Sequence, residues 1–417
     1  MSFTGGNIIS DGGSILLKMV DKGLGLLKRV AKALPDPRNS LFTQHGIEQM
    51  LRQRVYGIAL GYEDLNDQDT LRKDLAIQTA VDQSKPLASS PTLSRFENRA
   101  DRQVAVDIHK EMVETFIKSF KTPPKELTLD FDATDDPVHG NQEGRFFNGY
   151  YDNYCFLPLY VFCEDQLLVS YLRGSNMDGA QHAWAILSLL VKRFRQEWPN
   201  VRITFRGDSG FCRPKMLSWC ERHGVEYIVG VPQNQVLNRV TKPLQEEAKQ
   251  AYEATQEKQR LFSEVLYGAK TWNKLRRVIV KAEHTNKGSN PRYVVTNLEG
   301  DAQALYDNVY CQRGNMENRI KEQQLYLFAG RTSCHDWWPN QFRLLLSSLA
   351  YILVESIRRL ALEGTELAKA QCHTIRLKLF KIGAIILRNT RRIQFRLASQ
   401  YPYQALFCKV FHTLSSA

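Results

Sequence analysis

The stretch "ELTLDFDAT", residues 126–134, decides the fold because it changes the period of the sequence. Upstream of it, apolar residues recur at helical spacing. Within it they take every second position, at Leu127, Leu129 and Phe131. A period of two places these side chains on one face of a strand and the intervening polar side chains on the other. The stretch therefore predicts the first strand of a sheet that follows a helical region.

The pattern beyond this strand predicts an α/β domain. Strand-like runs follow at 149–162 and 166–172, and helix and strand signals then alternate through "GAQHAWAILSLLVKRFRQEW", "VRITFRGD", "CRPKMLSWCERHG" and "VEYIVGV". Three strands followed by helix, strand, helix and strand indicate a sheet with mixed strand directions. Residues 233–300 interrupt this order with a charged stretch and short strand candidates. We predict that they form a mostly β insertion in the α/β domain.

The region before the sheet is predicted to be helical. Residues 14–34 have the apolar spacing of one amphipathic helix that stops at a Pro-Asp-Pro turn, and residues 44–60 have the spacing of a second. Residues 89–120 begin with a Ser/Pro/Thr helix start and continue as a long amphipathic stretch. Within them "SPTLSRFEN", residues 90–98, suggests a helix-turn-helix that contacts DNA. The alternative is an ordinary small helical bundle.

The charge of the chain favours a polyanionic partner. Lys and Arg outnumber Asp and Glu by 56 to 44, which gives a formal net charge of +12. The imbalance is strongest in residues 371–417, which contain no Asp or Glu and carry Arg388, Arg391, Arg392 and Arg396. We predict that these four arginines contact DNA. An ordinary basic helix face or a solubilising tail is the alternative interpretation.

The sequence lacks the patterns that are typical of zinc-binding, secreted and membrane proteins. The eight cysteines include no CxxC pair, and the Cys-His dipeptides at 334–335 and 372–373 lack the ligand spacing of zinc sites. The first residues do not have the charged and apolar regions of a signal peptide. No apolar run reaches the roughly 18 residues of a transmembrane helix. We therefore expect a cytoplasmic protein that is not embedded in a membrane.

Three carboxylates are candidates for catalysis. Asp132 ends the first predicted strand, and Asp208 ends the fourth in "FRGDSGF", where side chains converge above a sheet. Glu317, on a predicted helix, would be the third. Three carboxylates at one point repel one another unless they are protonated or bridged by cations, and their hard oxygens suit Mg²⁺ or Mn²⁺. Because aspartates at strand ends are common, these residues alone give only a moderate signal.

The predicted helix "NVYCQRGNMENRIKEQQLYL", residues 308–327, carries one polar stripe. At about 100° of rotation per residue, five of its side chains fall within roughly 80° of one another: Tyr310, Arg313, Glu317, Lys321 and Gln324. An Arg313–Glu317–Lys321 ladder of surface ion pairs at i, i+4 spacing is the structural alternative to a functional stripe.

Together these motifs resemble those of RNase H-like DDE transposases of bacterial insertion sequences, and the likeness covers nearly the whole chain. "LDFDAT" and "FRGDSGF" resemble the two aspartate motifs of that family. The stripe is similar to the Y-(2)-R-(3)-E-(6)-K signature of one large branch, from Tyr310 through Arg313 and Glu317. The last position departs from the family, because Gln324 stands where the signature has lysine.

The resemblance implies a site and its cofactor. Asp132, Asp208 and Glu317 would be both catalytic residues and ligands of two Mg²⁺ or Mn²⁺ ions. Asp132 is preferred to Asp130, which strand alternation puts on the same face, because Asp132-Ala133-Thr134 matches the Asp-x-Ser/Thr pattern of RNase H-like sheets. The other stripe residues would bind DNA: Tyr310, Arg313, Gln324 and Lys321, whose ammonium group would replace that of the missing lysine.

The resemblance also implies a function. The protein would bind the terminal inverted repeats of its element as a homodimer on double-stranded DNA, cleave the ends by two-metal hydrolysis and join the 3′-hydroxyl ends to target DNA. This is cut-and-paste transposition, and the protein would be cytoplasmic and associated with the bacterial nucleoid when bound to DNA. The alternatives are a related metal-dependent nuclease without strand transfer and a DNA-binding protein without catalysis.

The expected fold class is an RNase H-like α/β protein, a mixed-sheet catalytic domain that is preceded by an all-helical domain and followed by a basic helical segment. The predicted domain order is a helical DNA-binding domain at 1–120, a first part of the catalytic core at 121–232, the insertion at 233–300, a second part of the core with the glutamate helix at 301–350, and a basic helical C-terminal region at 351–417.

Overall fold

The computed structural model describes residues 1–2, 4 and 6–416. Before the central sheet, these described residues form one short strand, seven α-helices and a 3₁₀ turn (Ser40–Phe42). The strand and the α-helices are β1 (Ile8–Ile9), α1 (Ser14–Leu24), α2 (Leu26–Ala33), α3 (Ile47–Leu60), α4 (Asp67–Leu71), α5 (Leu75–Ala80), α6 (Ser90–Glu97) and α7 (Arg102–Lys118). The region is helical apart from β1, so the expectation that it is all-helical is wrong at this strand.

Two of the predicted helices are each divided in two. The helix expected at 14–34 breaks at Gly25, whose φ of 63° lies in the left-handed region that glycine adopts without strain. The buried side chain of Asp21 then accepts a hydrogen bond from the Leu27 amide, 3.0 Å away, at the start of α2. The stretch at 89–120 divides at Asp101, whose carboxylate caps α7 by accepting from the amide of Val104.

The first half of the α/β region has the predicted helix, strand, helix and strand, but six strands precede them where three were predicted, because the run at 149–162 is divided in two and two short strands come before it. It comprises β2 (Glu126–Ala133), β3 (Asp136–Pro137), β4 (Phe146–Asn148), β5 (Asn153–Phe156), β6 (Leu159–Cys163), β7 (Gln166–Tyr171), α8 (Ala183–Glu197), β8 (Arg202–Gly207), α9 (Pro214–Arg222) and β9 (Glu226–Val231). Strands β3, β5 and β4 form a separate small sheet. The strand predicted from "ELTLDFDAT" is β2.

The interrupting segment contains both helices and strands, and its strands extend the central sheet. It comprises α10 (Gln235–Val240), α11 (Lys242–Thr255), β10 (Gln259–Tyr267), β11 (Arg276–Thr285), β12 (Gly288–Ser289) and β13 (Arg292–Thr296). Strand β13 pairs antiparallel with β9, and β11 and β10 continue outward from it.

The sheet has mixed strand directions, as predicted. Its order is β10-β11-β13-β9-β8-β2-β6-β7, with β12 paired to β11. Strands β2, β8 and β9 are parallel neighbours, whereas β6 and β7 are added antiparallel beyond β2. The apolar face of β2 is buried in one core with α8 and α9. Its polar face, which carries Asp130 and Asp132, is turned to the opposite side.

The glutamate helix lies on that opposite side and is irregular at its start. A short helix α12 (Ala302–Ala304) continues into a π-helical turn (Leu305–Tyr310), a 3₁₀ turn (Cys311–Arg313) and the regular helix α13 (Gly314–Tyr326). The long helix α14 (Trp337–Ala361) follows and is buried among the N-terminal helices in a second core. Across the described part of the chain, no helix is long and apolar enough to span a membrane.

The C-terminal region differs from the prediction, because it is not helical throughout. After α15 (Cys372–Ile375) and a π-helical turn (Arg376–Phe380), it forms a hairpin of β14 (Ala384–Arg388) and β15 (Ile393–Leu397), and it ends in α16 (Gln404–Ser416). Strand β14 also pairs with β1. The local reason is the turn, where the Asn389 side chain accepts hydrogen bonds from the amides of Arg391 and Arg392. Isoleucine in both arms and Phe395 in β15 favour strands.

Candidate active site

Two carboxylates lie where adjacent parallel strands end. Asp132 is near the end of β2, and its Oδ1 atom accepts a hydrogen bond from the Ala133 amide at 2.9 Å. Asp208 follows β8, and its Oδ1 atom accepts from the Gly210 amide at 2.8 Å. Because β2 and β8 are parallel and paired in register, both side chains stand at the same edge of the sheet. Each keeps its other carboxylate oxygen free of these local bonds.

Arg313 connects the third carboxylate to this edge. Its Nη2 atom lies 2.8 Å from Oε1 of Glu317, one turn along the helix, and its Nη1 atom lies 3.6 Å from Oδ2 of Asp132. The guanidinium therefore bridges Asp132 and Glu317. The structure thus brings Asp132, Glu317 and Arg313 together, with Asp208 close enough to influence the pKa of Asp132.

The electrostatics of Asp132 follow from burial among these charges. Burial is the largest effect, and it raises the pKa of Asp132 to about 7. Attraction by Arg313 and the hydrogen bond from the Ala133 amide lower the pKa, whereas repulsion by Asp208 and Glu317 raises it further. The pKa of Arg313 is in turn raised, because Asp132 and Glu317 outweigh the burial of its guanidinium. The acidic cluster therefore gains from a nearby cation.

The donor atoms suit a divalent ion chemically, although Arg313 now neutralises part of their charge. Within residues 1–2, 4 and 6–416, no group of three His, Cys, Asp or Glu side chains is arranged to hold a metal ion. Carboxylate oxygens are the ligands that Mg²⁺ and Mn²⁺ prefer. The Glu317 side chain is 44% exposed and stands on a helix that faces the sheet.

Asp130 has a different environment from Asp132, although both lie on the same face of β2. Its buried carboxylate is paired with Arg206, the residue directly opposite on β8, through two hydrogen bonds, one of them 2.6 Å from Arg206 Nη2 to Oδ2. The remaining Arg206 nitrogen, Nη1, donates to the carbonyl of Val309 at 2.5 Å. Arg206 thus ties the π-helical turn before Glu317 to the sheet. Sequence reasoning missed this residue, which stands two positions before Asp208.

The stripe predicted on the helix is divided by the irregular start. Tyr310 ends the π-helical turn and is directed to β9, where its hydroxyl lies beside Gly230; a Cβ atom at that position would be 2.7 Å from the hydroxyl oxygen. Arg313 is directed to Asp132 instead. A uniform step of 100° per residue does not describe this segment, because π and 3₁₀ turns rotate the chain by different amounts.

The last two stripe residues also differ from each other. Lys321 is exposed, and no ion pair involves it in the described part of the chain. The expected ladder is therefore present only in its Arg313–Glu317 half. Gln324 donates from Nε2 to the carbonyl of Asp135, 3.0 Å away. It therefore ties the glutamate helix to the loop that follows Asp132.

The four C-terminal arginines lie on the β14–β15 hairpin. Arg388 is half-buried and donates to the Thr79 hydroxyl at 2.7 Å, which ties the hairpin to the N-terminal helices. Arg391, Arg392 and Arg396 are exposed, and none of the three is in an ion pair with another described residue. Their charges are therefore available to a polyanion.

A cluster of exposed aromatic side chains beside the site was not predicted. Strands β4 and β5 form a hairpin whose turn contacts the loop after Asp132, with the Tyr151 hydroxyl 3.4 Å from the Ala133 carbonyl. The signal in the sequence is "GRFFNGYYDNY", in which five of eleven residues are Phe or Tyr.

Comparison with known families identifies the family of this chain. The family model for the transposase DDE domain, group 1, matches residues 1–417. The chain belongs to this family of DDE transposases. The protein is therefore an enzyme, a metal-dependent DNA transposase and endonuclease, and the predicted DDE transposase identity is confirmed.

A solved structure similar to this DDE transposase is the cryo-EM structure of the piggyBac transposase synaptic complex with hairpin DNA. The two chains share 11% sequence identity at a TM-score of 0.44, over 89% of this chain and 80% of the other. None of the curated proteins matches the sequence.

Proposed function

We propose that this transposase moves its element by cut-and-paste transposition, cleaving each end of the element and joining the freed 3′-hydroxyl to target DNA. The observation that carries the proposal is the convergence of Asp132 and Asp208 at adjacent strand ends with Glu317 linked to Asp132 through Arg313. The mixed sheet that holds the two aspartates supports an RNase H-like catalytic core, and the spacing of Tyr310, Arg313 and Glu317 supports a bacterial insertion-sequence enzyme of the Y-R-E-K branch.

In this proposal the three carboxylates hold two Mg²⁺ or Mn²⁺ ions. Such ions supply activation of the attacking oxygen on one side of the scissile phosphodiester and charge stabilisation of the leaving oxygen on the other. Asp132 and Asp208 are anchored by backbone amides, so they form the fixed part of the site. Glu317, which is more exposed, completes the site when DNA is bound. No covalent bond between the protein and DNA is required.

Arg313 has two roles in this proposal. In the free protein its guanidinium neutralises Asp132 and Glu317. With metal ions bound at the carboxylates, the Arg313 guanidinium would be free to hold a DNA phosphate through two hydrogen bonds. Lys321 adds a point charge farther along the same helix. Tyr310 and Gln324 contribute mainly by holding this helix against β9 and against the loop after Asp132.

Recognition of the ends is assigned to other parts of the chain. We propose that the helices of residues 1–120 and the basic hairpin bind the terminal inverted repeats, with Arg391, Arg392 and Arg396 contacting phosphates. Arg388 positions the hairpin through Thr79. In this division residues 121–232 and 301–350 form the catalytic core, with 233–300 inserted between them. Two ends need two active sites, so the DNA complex is a homodimer, formed in the cytoplasm at the nucleoid.

The decisive experiment measures cleavage and strand transfer by the purified protein. The substrate is an end duplex, defined as a duplex that carries the terminal repeat found beside the reading frame, and the target is a supercoiled plasmid. We expect Mg²⁺-dependent cleavage and insertion by wild type, and neither by Asp132→Asn, Asp208→Asn or Glu317→Gln. Glu299→Gln, which changes an exposed glutamate outside the site, is the matched control. Cleavage without insertion would identify a nuclease, and binding without cleavage by wild type would identify a non-catalytic DNA-binding protein.

A further inference from the structure

We infer that the hairpin β4–β5, residues 145–154, is a stacking platform for unpaired DNA bases beside the scissile phosphate. The inference rests on the proposed function, because it assigns to the hairpin a part of the DNA that enters the same site. It goes beyond that function by naming an unpaired segment of the substrate and the side chains that receive it.

The hairpin exposes an unusual amount of aromatic surface. Tyr150 is 88% exposed, Phe147 53% and Tyr154 49%, and Phe146 is also largely exposed. Single exposed aromatic residues are common on proteins, but several on one short hairpin form a contiguous apolar patch of the kind that marks a binding surface. Leaving these rings in water brings no benefit to folding, since their burial would contribute favourably.

The platform adjoins the backbone that follows Asp132. The Tyr151 hydroxyl lies 3.4 Å from the carbonyl of Ala133, the residue after Asp132. The Asn153 amide donates to the Asp135 carboxylate at 3.3 Å. Strand β5 also pairs with β3, which begins at Asp136. DNA held at Asp132 therefore passes next to the hairpin.

The rings are held in place before any partner arrives. Phe147 and Tyr154 are a direct cross-strand pair with ring centroids 5.6 Å apart. At the turn, Asn148 accepts from the Tyr150 amide at 3.0 Å and donates to the carbonyl of Ser175 at 2.9 Å. A fixed ring loses little conformational entropy when a ligand stacks on it.

The chemistry of the patch fits nucleobases better than a protein surface. The Arg145 guanidinium lies 4.6 Å from the centre of the Tyr154 ring, so a cation accompanies the rings. Aromatic faces with adjacent arginine are the means by which proteins bind bases and backbone of single-stranded DNA without reading sequence. Bases in an intact duplex have no free faces, so the platform requires that the DNA be unpaired at this point.

Binding to two forms of the end duplex tests the inference. One form is fully paired, and the other has mismatched, unpaired bases on both sides of the cleavage position. Affinities are measured in Ca²⁺, so that binding is separated from cleavage. We expect wild type to prefer the unpaired form by about tenfold, in line with the stacking energy of one base. The double variant Phe147→Ala, Tyr150→Ala is expected to lose this preference while binding the paired form normally.

Two controls make the comparison specific. Tyr150→Phe keeps the ring and should keep the preference. Leu266 on β10 is an apolar residue that is 74% exposed. The variant Leu266→Ala should also behave as wild type. A preference for unpaired DNA that survives in the double variant would overturn the inference. So would light scattering that shows a wild-type dimer without DNA and a monomeric double variant, because the patch would then be an interface between two copies of the chain.

Failure of the proposed function has a different signature. If wild type cleaves no end duplex in Mg²⁺, the transposition proposal is contradicted, yet the preference for unpaired DNA in Ca²⁺ still decides the role of the hairpin. If wild type cleaves and the double variant shows an unchanged preference, only the inference about the hairpin fails.

Discussion

The guanidinium of Arg206 and the carboxylate of Asp130 form a buried, doubly hydrogen-bonded pair across the parallel strands β8 and β2. The pair lies under the start of the glutamate helix, which it holds through the Val309 carbonyl. Asp130 therefore has a structural role that explains why two aspartates alternate in "LDFDAT". Asp130 is held in a buried pair within the sheet, and Asp132 faces the site, where Arg313 lies beside it.

Arg206→Met should destabilise the protein strongly, because it leaves the Asp130 carboxylate buried without its partner. A loss of about 3–5 kcal/mol in the free energy of unfolding is expected, measured by urea denaturation. The matched control is Arg202→Met on the same strand, whose partner Glu126 is on β2 and whose side chain is 63% exposed. That pair should contribute at most about 1 kcal/mol. Equal losses in the two variants would refute a special role for Arg206.

The success of the sequence analysis depended on how local each signal was. The alternation of Leu127, Leu129 and Phe131 is a local signal, and it identified β2 and the face on which Asp132 lies. The C-terminal hairpin was missed because a net positive charge is compatible with either helix or strand, and the strand pairing with β1 is a contact between distant parts of the chain.

The carboxylates of the candidate site could be predicted from the sequence, but the contacts around them could not. Strand ends and a helical repeat are visible in the sequence, and they pointed to Asp132, Asp208 and Glu317. The π-helical turn at Leu305–Tyr310 is stabilised by contacts with β9 and Arg206, which no local pattern encodes. Arg206 itself was missed because its partners are separated from it by 76 and 103 positions.

A second buried carboxylate should make stability depend on pH. Burial raises the pKa of Glu355 on α14 to about 7, although Arg359 and Arg358 lower it. From about pH 4.5 to about pH 7, the Glu355 carboxyl is therefore protonated in the folded protein and ionised in the unfolded protein. The free energy of unfolding falls as pH rises through this range. Glu355→Gln should flatten this part of the curve of unfolding free energy against pH.

The control for this measurement is Glu363→Gln, which removes an exposed carboxylate from the segment just after α14. It should leave the pH dependence of wild type unchanged. The two proteins with and without Glu355 should differ most in stability above pH 7 and least near pH 4. A Glu355→Gln variant whose stability falls as steeply as that of wild type would show that the carboxyl is already ionised in the folded protein at low pH.

Removal of divalent metal should abolish cleavage without abolishing binding. Cleavage of the end duplex should stop in EDTA and return with Mg²⁺ or Mn²⁺, whereas Ca²⁺ should support binding alone. Gel-shift and cleavage assays on the same samples separate the two. Undiminished cleavage in EDTA would contradict a role for metal ions held by Asp132, Asp208 and Glu317.

Arg313→Lys should reduce cleavage although it keeps the positive charge. One ammonium group does not reproduce the two parallel hydrogen bonds by which the Arg313 guanidinium is proposed to hold a DNA phosphate during cleavage. A loss of about tenfold or more in the cleavage rate is expected, with a smaller loss in end binding, because a bidentate charged contact contributes about 1.5–3 kcal/mol. The control is Lys215→Arg on α9, which exchanges the same two residue types in the opposite direction outside the site. A normal rate for Arg313→Lys would mean that only the charge matters.

The Y-R-E-K signature has a lysine where this chain has Gln324. Lys321 is the residue that would replace the ammonium group of that lysine. Its side chain is exposed and unpaired with any described carboxylate, whereas Gln324 is engaged with the Asp135 carbonyl. If Lys321 contacts a phosphate, Lys321→Ala should lower the slope of log affinity against log salt by about one unit. Binding of the end duplex in Ca²⁺ across a series of salt concentrations measures this slope. Lys287→Ala, in the exposed β11–β12 turn, should run parallel to wild type, and a parallel line for Lys321→Ala would show that this ammonium group is free in solvent when DNA is bound.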